Sequence, residues 1–204
     1  TCLANQIDKI VEAYIDDVVV KTKHVETLVD DLSLTFNNLR TYDIKLNPEK
    51  CVFDVPVGKL LGFIVSGRGI EANPAKIRAL SQLDIPKDLK QLQKLTRCVA
   101  ALSRFISCLG EKALPLYRLL QCTGNFEWTN SATAGLNEIK AMLATNPVQA
   151  APNISEPMLL YIAATYQVVS AVLVVEREVD GHKFLIQKPV YYVSTVLTPC
   201  KSRY

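Results

Sequence analysis

Histidine is scarce in this chain: only His24 and His182 occur among 204 residues. Six cysteines are present (Cys2, Cys51, Cys98, Cys108, Cys122 and Cys200), but none stands in a C-x-x-C pair. A zinc site needs clustered nitrogen and sulfur donors, so none is expected. No basic region followed by a hydrophobic stretch opens the chain, so no secretory signal is visible. Free thiols are therefore expected rather than disulfides. Long hydrophobic runs are also missing. The longest lies near Val168 to Val175, far short of the roughly 20 residues that a membrane helix needs. No membrane partner is expected. Methionine occurs only at Met142 and Met158, and the first residue is Thr1. We expect an excerpt of a longer chain.

What is present is a globular balance. Hydrophobic residues make up 49% and charged residues 21%, enough for a proper core in one large domain or two small ones. The net charge of +3 hides an uneven distribution. From Lys76 to Arg118 there are nine Lys/Arg against three Asp/Glu, and elsewhere fourteen against seventeen. A local basic excess points to a polyanionic partner near that segment.

Pattern and punctuation predict the elements. Val11 to Val20 is apolar and β-branched on both sides of Asp16-Asp17, which reads as a hairpin with the acids at or beside its turn. Val25, Leu28, Val29, Leu32, Phe36 and Leu39 repeat at helical spacing, giving a helix from about His24 to Tyr42. Cys51 to Phe53 and Leu60 to Val65 are short strand candidates, and Gly67 and Gly69 mark a turn. Asn73-Pro74 starts a helix that ends before Ile85-Pro86. Asp88 caps another, running to about Leu109. Pro115 opens a short helix. One further helix carries Leu136, Ile139 and Leu143 on one face. Leu159 to Ala163, Val168 to Glu176 and Phe184 to Val193 read as strands, with Asp180-Gly181 as a turn. The linker around Cys122 to Asn125 is the expected boundary. The fold class is α+β.

Asp16 and Asp17 are the candidate chemistry. Adjacent acids among apolar residues repel unless a cation compensates, and Mg²⁺, which takes hard oxygen ligands, is a natural one. Two such ions about 4 Å apart can activate a 3′-hydroxyl and stabilise a leaving pyrophosphate. Alone, the pair reads better as a polar hairpin tip exposed to water, since exposed Asp is common at turns. Its surroundings narrow the choice. Tyr14-Ile15-Asp16-Asp17 resembles the Y-x-D-D motif of reverse transcriptases. The stretch from Val11 to Lys23 does so too, as do the segments from Leu46 to Phe53, Leu61-Gly62-Phe63, Gly69 to Pro74 and Arg104-Phe105-Ile106. Together they resemble, in the expected order, the polymerase polyprotein of gypsy-type long-terminal-repeat retrotransposons, the plant members above all.

The resemblance implies a right-hand polymerase: palm end over 1–72, helical thumb over 73–121, and the start of a ribonuclease H-like domain over 122–204. It implies Asp16 and Asp17 as catalytic metal ligands for Mg²⁺, with Asp16 the more direct. It places Tyr14 near the primer end and incoming nucleotide. Leu61, Gly62 and Phe63 would resemble the primer grip, although a buried strand with a packing glycine fits that segment as well. The implied partners are an RNA/DNA template-primer, deoxynucleotides and the rest of the polyprotein, in a cytoplasmic retroelement particle. The function implied is a fragment of an RNA-directed DNA polymerase, inactive by itself. The alternative is a degenerate, non-catalytic remnant that at most binds nucleic acid.

The basic segment supports the same partner independently. Along a helix from Asp88, residues Lys90, Lys94, Arg97 and Arg104 fall on one stripe, opposite Leu92, Leu95, Val99, Leu102 and Ile106. No acid lies between Leu89 and Gly110. Solvated faces usually mix signs, so a purely basic stripe favours phosphate contact. Members of the family usually carry glycine where Arg97 stands.

The strand from Leu160 to Thr165 resembles the first strand of the ribonuclease H fold, and Ala163 falls where that fold has an Asp metal ligand. Alanine cannot bind a metal. The purified chain is therefore expected not to cut the RNA of an RNA–DNA hybrid. Metal-dependent cleavage that survives removal of contaminating nucleases would show Ala163 to be misaligned.

Overall fold

A computed structural model describes residues 2–22, 24–122 and 124–197. Contacts divide the chain into two compact units, Thr1–Pro56 and Val57–Tyr204.

The first unit pairs β1 (Val11–Tyr14) with β2 (Asp17–Val20) as an antiparallel hairpin, followed by α1 (Leu28–Thr41). Leu3, Val11 and Leu39 form its small core, with Ile7, Ile10, Val20 and Phe36 packed around them. The helix face differs from expectation at its start. Val25 and Val29 are exposed, whereas Thr35 is buried, its hydroxyl donating to the Asp31 carbonyl at 2.8 Å. Cys51 to Phe53 is not a strand. Asn47 caps a single 3₁₀ turn, Pro48–Lys50, and the chain then runs extended without a strand partner. Phe53 instead meets Phe36 edge-on at 6.4 Å.

Among the described residues, the second unit holds two antiparallel sheets and four α-helices. The first sheet has the order β3 (Val57–Leu60), β4 (Phe63–Ser66), β5 (Gly69–Glu71), β6 (Val148–Gln149). The strand expected from Leu60 to Val65 is thus two strands joined by a tight turn. Leu61 and Gly62 both have positive φ (51° and 76°), which a two-residue hairpin of this twist demands. Gly62 therefore serves the turn rather than strand packing.

Helices α2 (Pro74–Ser81), α3 (Leu89–Ala100), α4 (Leu109–Gln121) and α5 (Asn130–Ala144) start where capping chemistry predicts in three of four cases. Asn73 accepts from the Ala75 N–H, Asp88 from that of Gln91, and Thr129 from that of Ala132. The exception is α4, which has no capping side chain; Cys108 precedes it at φ 51°. Two expectations about this region fail. The helix from Asp88 stops at Ala100, and a 3₁₀ turn over Ser103–Phe105 buries Leu102, Phe105 and Ile106. Pro115 lies inside α4 rather than at its start, at the cost of one intrahelical hydrogen bond.

Leu80, Leu92, Leu95, Val99, Phe105, Leu116, Leu136 and Ile139 share one core. Because α2, α3 and α4 bury their apolar faces with α5, the segment around Cys122 to Asn125 is not a packing boundary; Thr123 lies outside the described residues. The second sheet, in the order β7 (Met158–Ala164), β8 (Val168–Arg177), β9 (Ile186–Val196), matches the three expected strands. Its register shifts between Leu173 and Val174, opposite Tyr191 and Pro189, so the proline sits beside a bulge where no ladder donor is needed. The described cysteines are free thiols, while Cys200 lies outside the described residues. No described helix is long and apolar enough to cross a membrane.

Gly135 on α5 marks a close approach to α4. A Cβ there would lie 2.2 Å from the Lys112 carbonyl oxygen of α4. Glycine-to-alanine in a helix normally stabilises. Here Gly135→Ala is expected to destabilise by about 1–3 kcal/mol through overpacking against backbone. Urea denaturation with an unchanged m-value is the measurement, and a rise in the midpoint would contradict the packing.

Candidate active site and nucleic-acid interface

The acidic motif is built by strand alternation. Val11, Ala13, Val18 and Val20 share one face of the hairpin, and Val11 is fully buried there. Glu12, Tyr14, Asp17 and Val19 occupy the opposite face. Tyr14 and Asp17 form the last pair of the register, leaving Ile15 and Asp16 as the turn. Both aspartates are exposed, and Tyr14 and Ile15 are 57% and 85% exposed. Glu12, the third acid of the hairpin, is ion-paired to Lys21.

Ile15 carries φ 51°, a left-handed conformation that β-branched residues rarely adopt. Such a residue costs about 1–3 kcal/mol and persists only where its neighbours enforce it. Strain of this kind collects at functional sites, and here it falls between Tyr14 and Asp16. Adjacent exposed carboxylates offer the hard oxygen donors that Mg²⁺ favours. Among the described residues no group of three or more His, Cys, Asp or Glu converges to complete a metal site. The donor chemistry thus fits a divalent ion in part.

The second feature lies on α3. Lys90, Lys94 and Arg97 are exposed, while Leu92, Leu95 and Val99 are buried on the other side. Arg104 does not belong to this stripe, because the helix has ended before it. Its Nε donates to Gln149 Oε1 at 3.0 Å, and its guanidinium lies 5.0 Å from the Phe63 ring centroid and 5.5 Å from that of Tyr191. Phe63 in turn packs against Phe105 at 5.7 Å. Leu61 and Gly62 are gathered at the β3–β4 turn. Sequence reasoning missed Lys76, whose ammonium sits 5.4 Å from the same Phe63 ring. Asn73-Pro74 fixes Lys76 in the first turn of α2, but only tertiary packing brings it to this hairpin.

Comparison with known proteins gives a consistent context. The chain is similar to the Pol polyprotein of transposon opus from Drosophila melanogaster, at 27% identity over 99% of this chain and 21% of that protein. It is similar to the Tf2-3 transposon polyprotein of Schizosaccharomyces pombe, at 26% over 100% of this chain and 15% of that protein. The chain thus spans about a fifth or less of the polyproteins it matches. Among solved structures, a foamy viral protease-reverse transcriptase in complex with RNA/DNA hybrid aligns over 99% of this chain and 26% of its own, with a TM-score of 0.78 and 20% identity. A foamy viral protease-reverse transcriptase in complex with dsDNA aligns over 99% of this chain and 34% of its own, with a TM-score of 0.80 and 22% identity. No family model matches. The mixed helix-and-sheet fold is shared with these structures, and the sequence is similar to retroelement polyproteins along its whole length.

Arg104→Ala is expected to cost stability, because it leaves the buried Gln149 Oε1 without its donor and removes two cation–aromatic contacts. The loss should be about 1–3 kcal/mol. Thermal and urea unfolding of the variant are the check; wild-type stability would show the stack to be ornamental.

Proposed function

We propose that this chain is part of an RNA-directed DNA polymerase of the gypsy-type, plant-like retroelement class. In this reading 1–72 is the end of the palm, 73–121 the thumb and 122–204 the start of a ribonuclease H-like domain. The compact units divide the chain elsewhere, so these are segments of function rather than of packing. The observation that carries the reading is the exposed Asp16-Asp17 pair on a hairpin strained at Ile15.

Asp16 and Asp17 would hold Mg²⁺, which when bound supplies Lewis-acid activation of a hydroxyl and neutralises phosphate charge. The rest is the work of the protein. The apolar face around Val11 anchors the hairpin, so both carboxylates stay in water where a polynucleotide end can reach them. Tyr14, paired with Asp17, offers a half-exposed ring beside them to position the primer end and nucleotide. Lys90, Lys94 and Arg97 present three exposed cations on a helix that carries no acid from Leu89 to Ala100, suited to the sugar-phosphate backbone. The similar foamy viral structures in complex with RNA/DNA hybrid and dsDNA support a template-primer as the partner.

Two carboxylates on one hairpin are too few ligands to fix two ions, so the isolated chain is expected to bind Mg²⁺ weakly and to extend no primer. Joined to the preceding region of an intact parent polyprotein, it should extend a primer on RNA with Mg²⁺ and deoxynucleotides. Asp16→Asn in that fusion should abolish extension without unfolding the protein, because the amide keeps the shape and loses the charge. Asp17→Asn should damage it less. Full activity of the Asp16→Asn fusion, or robust extension by the chain alone, would refute these roles. Ala163, on the exposed strand β7, favours a second reading for the last segment alone, as a non-catalytic remnant.

A further inference from the structure

Strand alternation places a third acid on the side of the hairpin that carries Asp17. Glu12, Tyr14, Asp17, Val19 and Lys21 share that side. Glu12 pairs with Val19, Tyr14 pairs with Asp17, and the Lys21 N–H donates to the Ile10 carbonyl at 2.8 Å. Glu12 therefore has two charged diagonal neighbours on the opposite strand. Asp17 stands two residues before Val19, toward the tip; Lys21 stands two residues after it, toward the base. Diagonal neighbours on one face of an antiparallel pair lie about 7–8 Å apart, within reach of a long side chain. A glutamate at this place can lean either way.

In the structure it leans toward the base, where its carboxylate is ion-paired with the Lys21 ammonium. The backbone behind that ammonium is fixed, because the adjacent Val20 pairs with the fully buried Val11 and packs into the core of the first unit. Both partners are 45% exposed, so the pair biases the carboxylate rather than locking it, by a factor of up to about five. The bias matters at the tip. Two carboxylates hold Mg²⁺ weakly, because the ion dehydrates reluctantly and keeps water wherever ligands are few. A Glu12 leaning toward Asp17 would bring a third carboxylate from the same hairpin. Paired with Lys21, it does not, and among the described residues no three acids converge.

We propose that Lys21 is a positioning residue that draws Glu12 toward the base of the hairpin and keeps its carboxylate out of the ion-binding set at Asp16 and Asp17. Further ligands must then come from another strand. The proposal rests on the metal reading of the tip given above and adds the residue that limits the hairpin to two carboxylates.

The test is an Mn²⁺ titration of the 204-residue chain, followed by paramagnetic broadening of the hairpin amide resonances. Mn²⁺ stands in for Mg²⁺ because it accepts the same carboxylate ligands. Salt is kept high enough to screen long-range charge. Lys21→Gln should raise Mn²⁺ affinity by about two- to fivefold, the factor that an exposed ion pair withholds. Lys21→Arg should match the wild type. In a Glu12→Gln background, Lys21→Gln should change nothing. An equal gain in both backgrounds would reveal a simple charge effect and overturn the proposal, as would no gain in either. If Mn²⁺ broadens neither Asp16 nor Asp17 in any variant, the metal reading itself fails and takes the proposal with it. Lys21→Thr carries the same comparison should the glutamine variant fail to fold.

Discussion

The second unit turns on how one buried amide is satisfied. Gln149 is 2% exposed, and its side chain accepts from Arg104 Nε and donates to the Arg104 carbonyl. An unmet buried amide would cost about 1–3 kcal/mol, so the chain after α3 must bring Arg104 to this point. That requirement accounts for the early end of the helix. The backbone of Gln149 imposes a second constraint: its carbonyl oxygen would lie 2.0 Å from a Cβ on Gly69, so only glycine admits the pairing of β5 with β6. The next residue extends the joint, because the Ala150 N–H donates to the Pro189 carbonyl at 2.7 Å. Segments far apart in sequence are thus tied at one place, and Phe63, Lys76 and Tyr191 take their positions around it.

The hairpin of the first unit obeys a simpler rule. Its side chains alternate, and the side holding Val11 is anchored by Leu3 and Leu39. A slip of one residue would carry Asp17 into that core and expel Val11, so the register is strongly specified. Holding Asp17 outward while closing the loop in two residues forces Ile15 into the left-handed region. The strain is therefore a consequence of keeping both acids at the tip.

Much of this was legible in the sequence because it is local. Asn73 and Asp88 stand where their side chains meet the first free N–H groups of a helix, and the last three strands follow largely apolar runs. The acidic hairpin was legible for the same reason. What escaped was nonlocal. Helical spacing continues through Leu102 and Ile106, so periodicity carries α3 past its true end; only the bond between Arg104 and Gln149, 45 residues apart, shows why it stops. Leu61-Gly62 resembled a strand interior because its neighbours are apolar, and only the positive φ angles identify the turn. Pro115 reads as a helix start, because the tolerance of α4 for a missing donor does not show in the local sequence.

The two candidate sites differ in how they depend on the rest of a protein. Metal chelation is steeply cooperative in ligand number: two exposed carboxylates compete poorly with water for an ion that dehydrates reluctantly, and a third from elsewhere changes affinity out of proportion to its charge. Phosphate contacts, by contrast, accumulate nearly one by one, each contributing its released counterion. Under the proposed reading, a chain with the exposed cations of α3 retains some phosphate contacts of its own. The same chain retains little of what it needs to perform chemistry on a duplex. Under that reading binding and catalysis separate, the former drawing on the cations of α3 and the latter conditional on carboxylates from outside the Asp16-Asp17 hairpin.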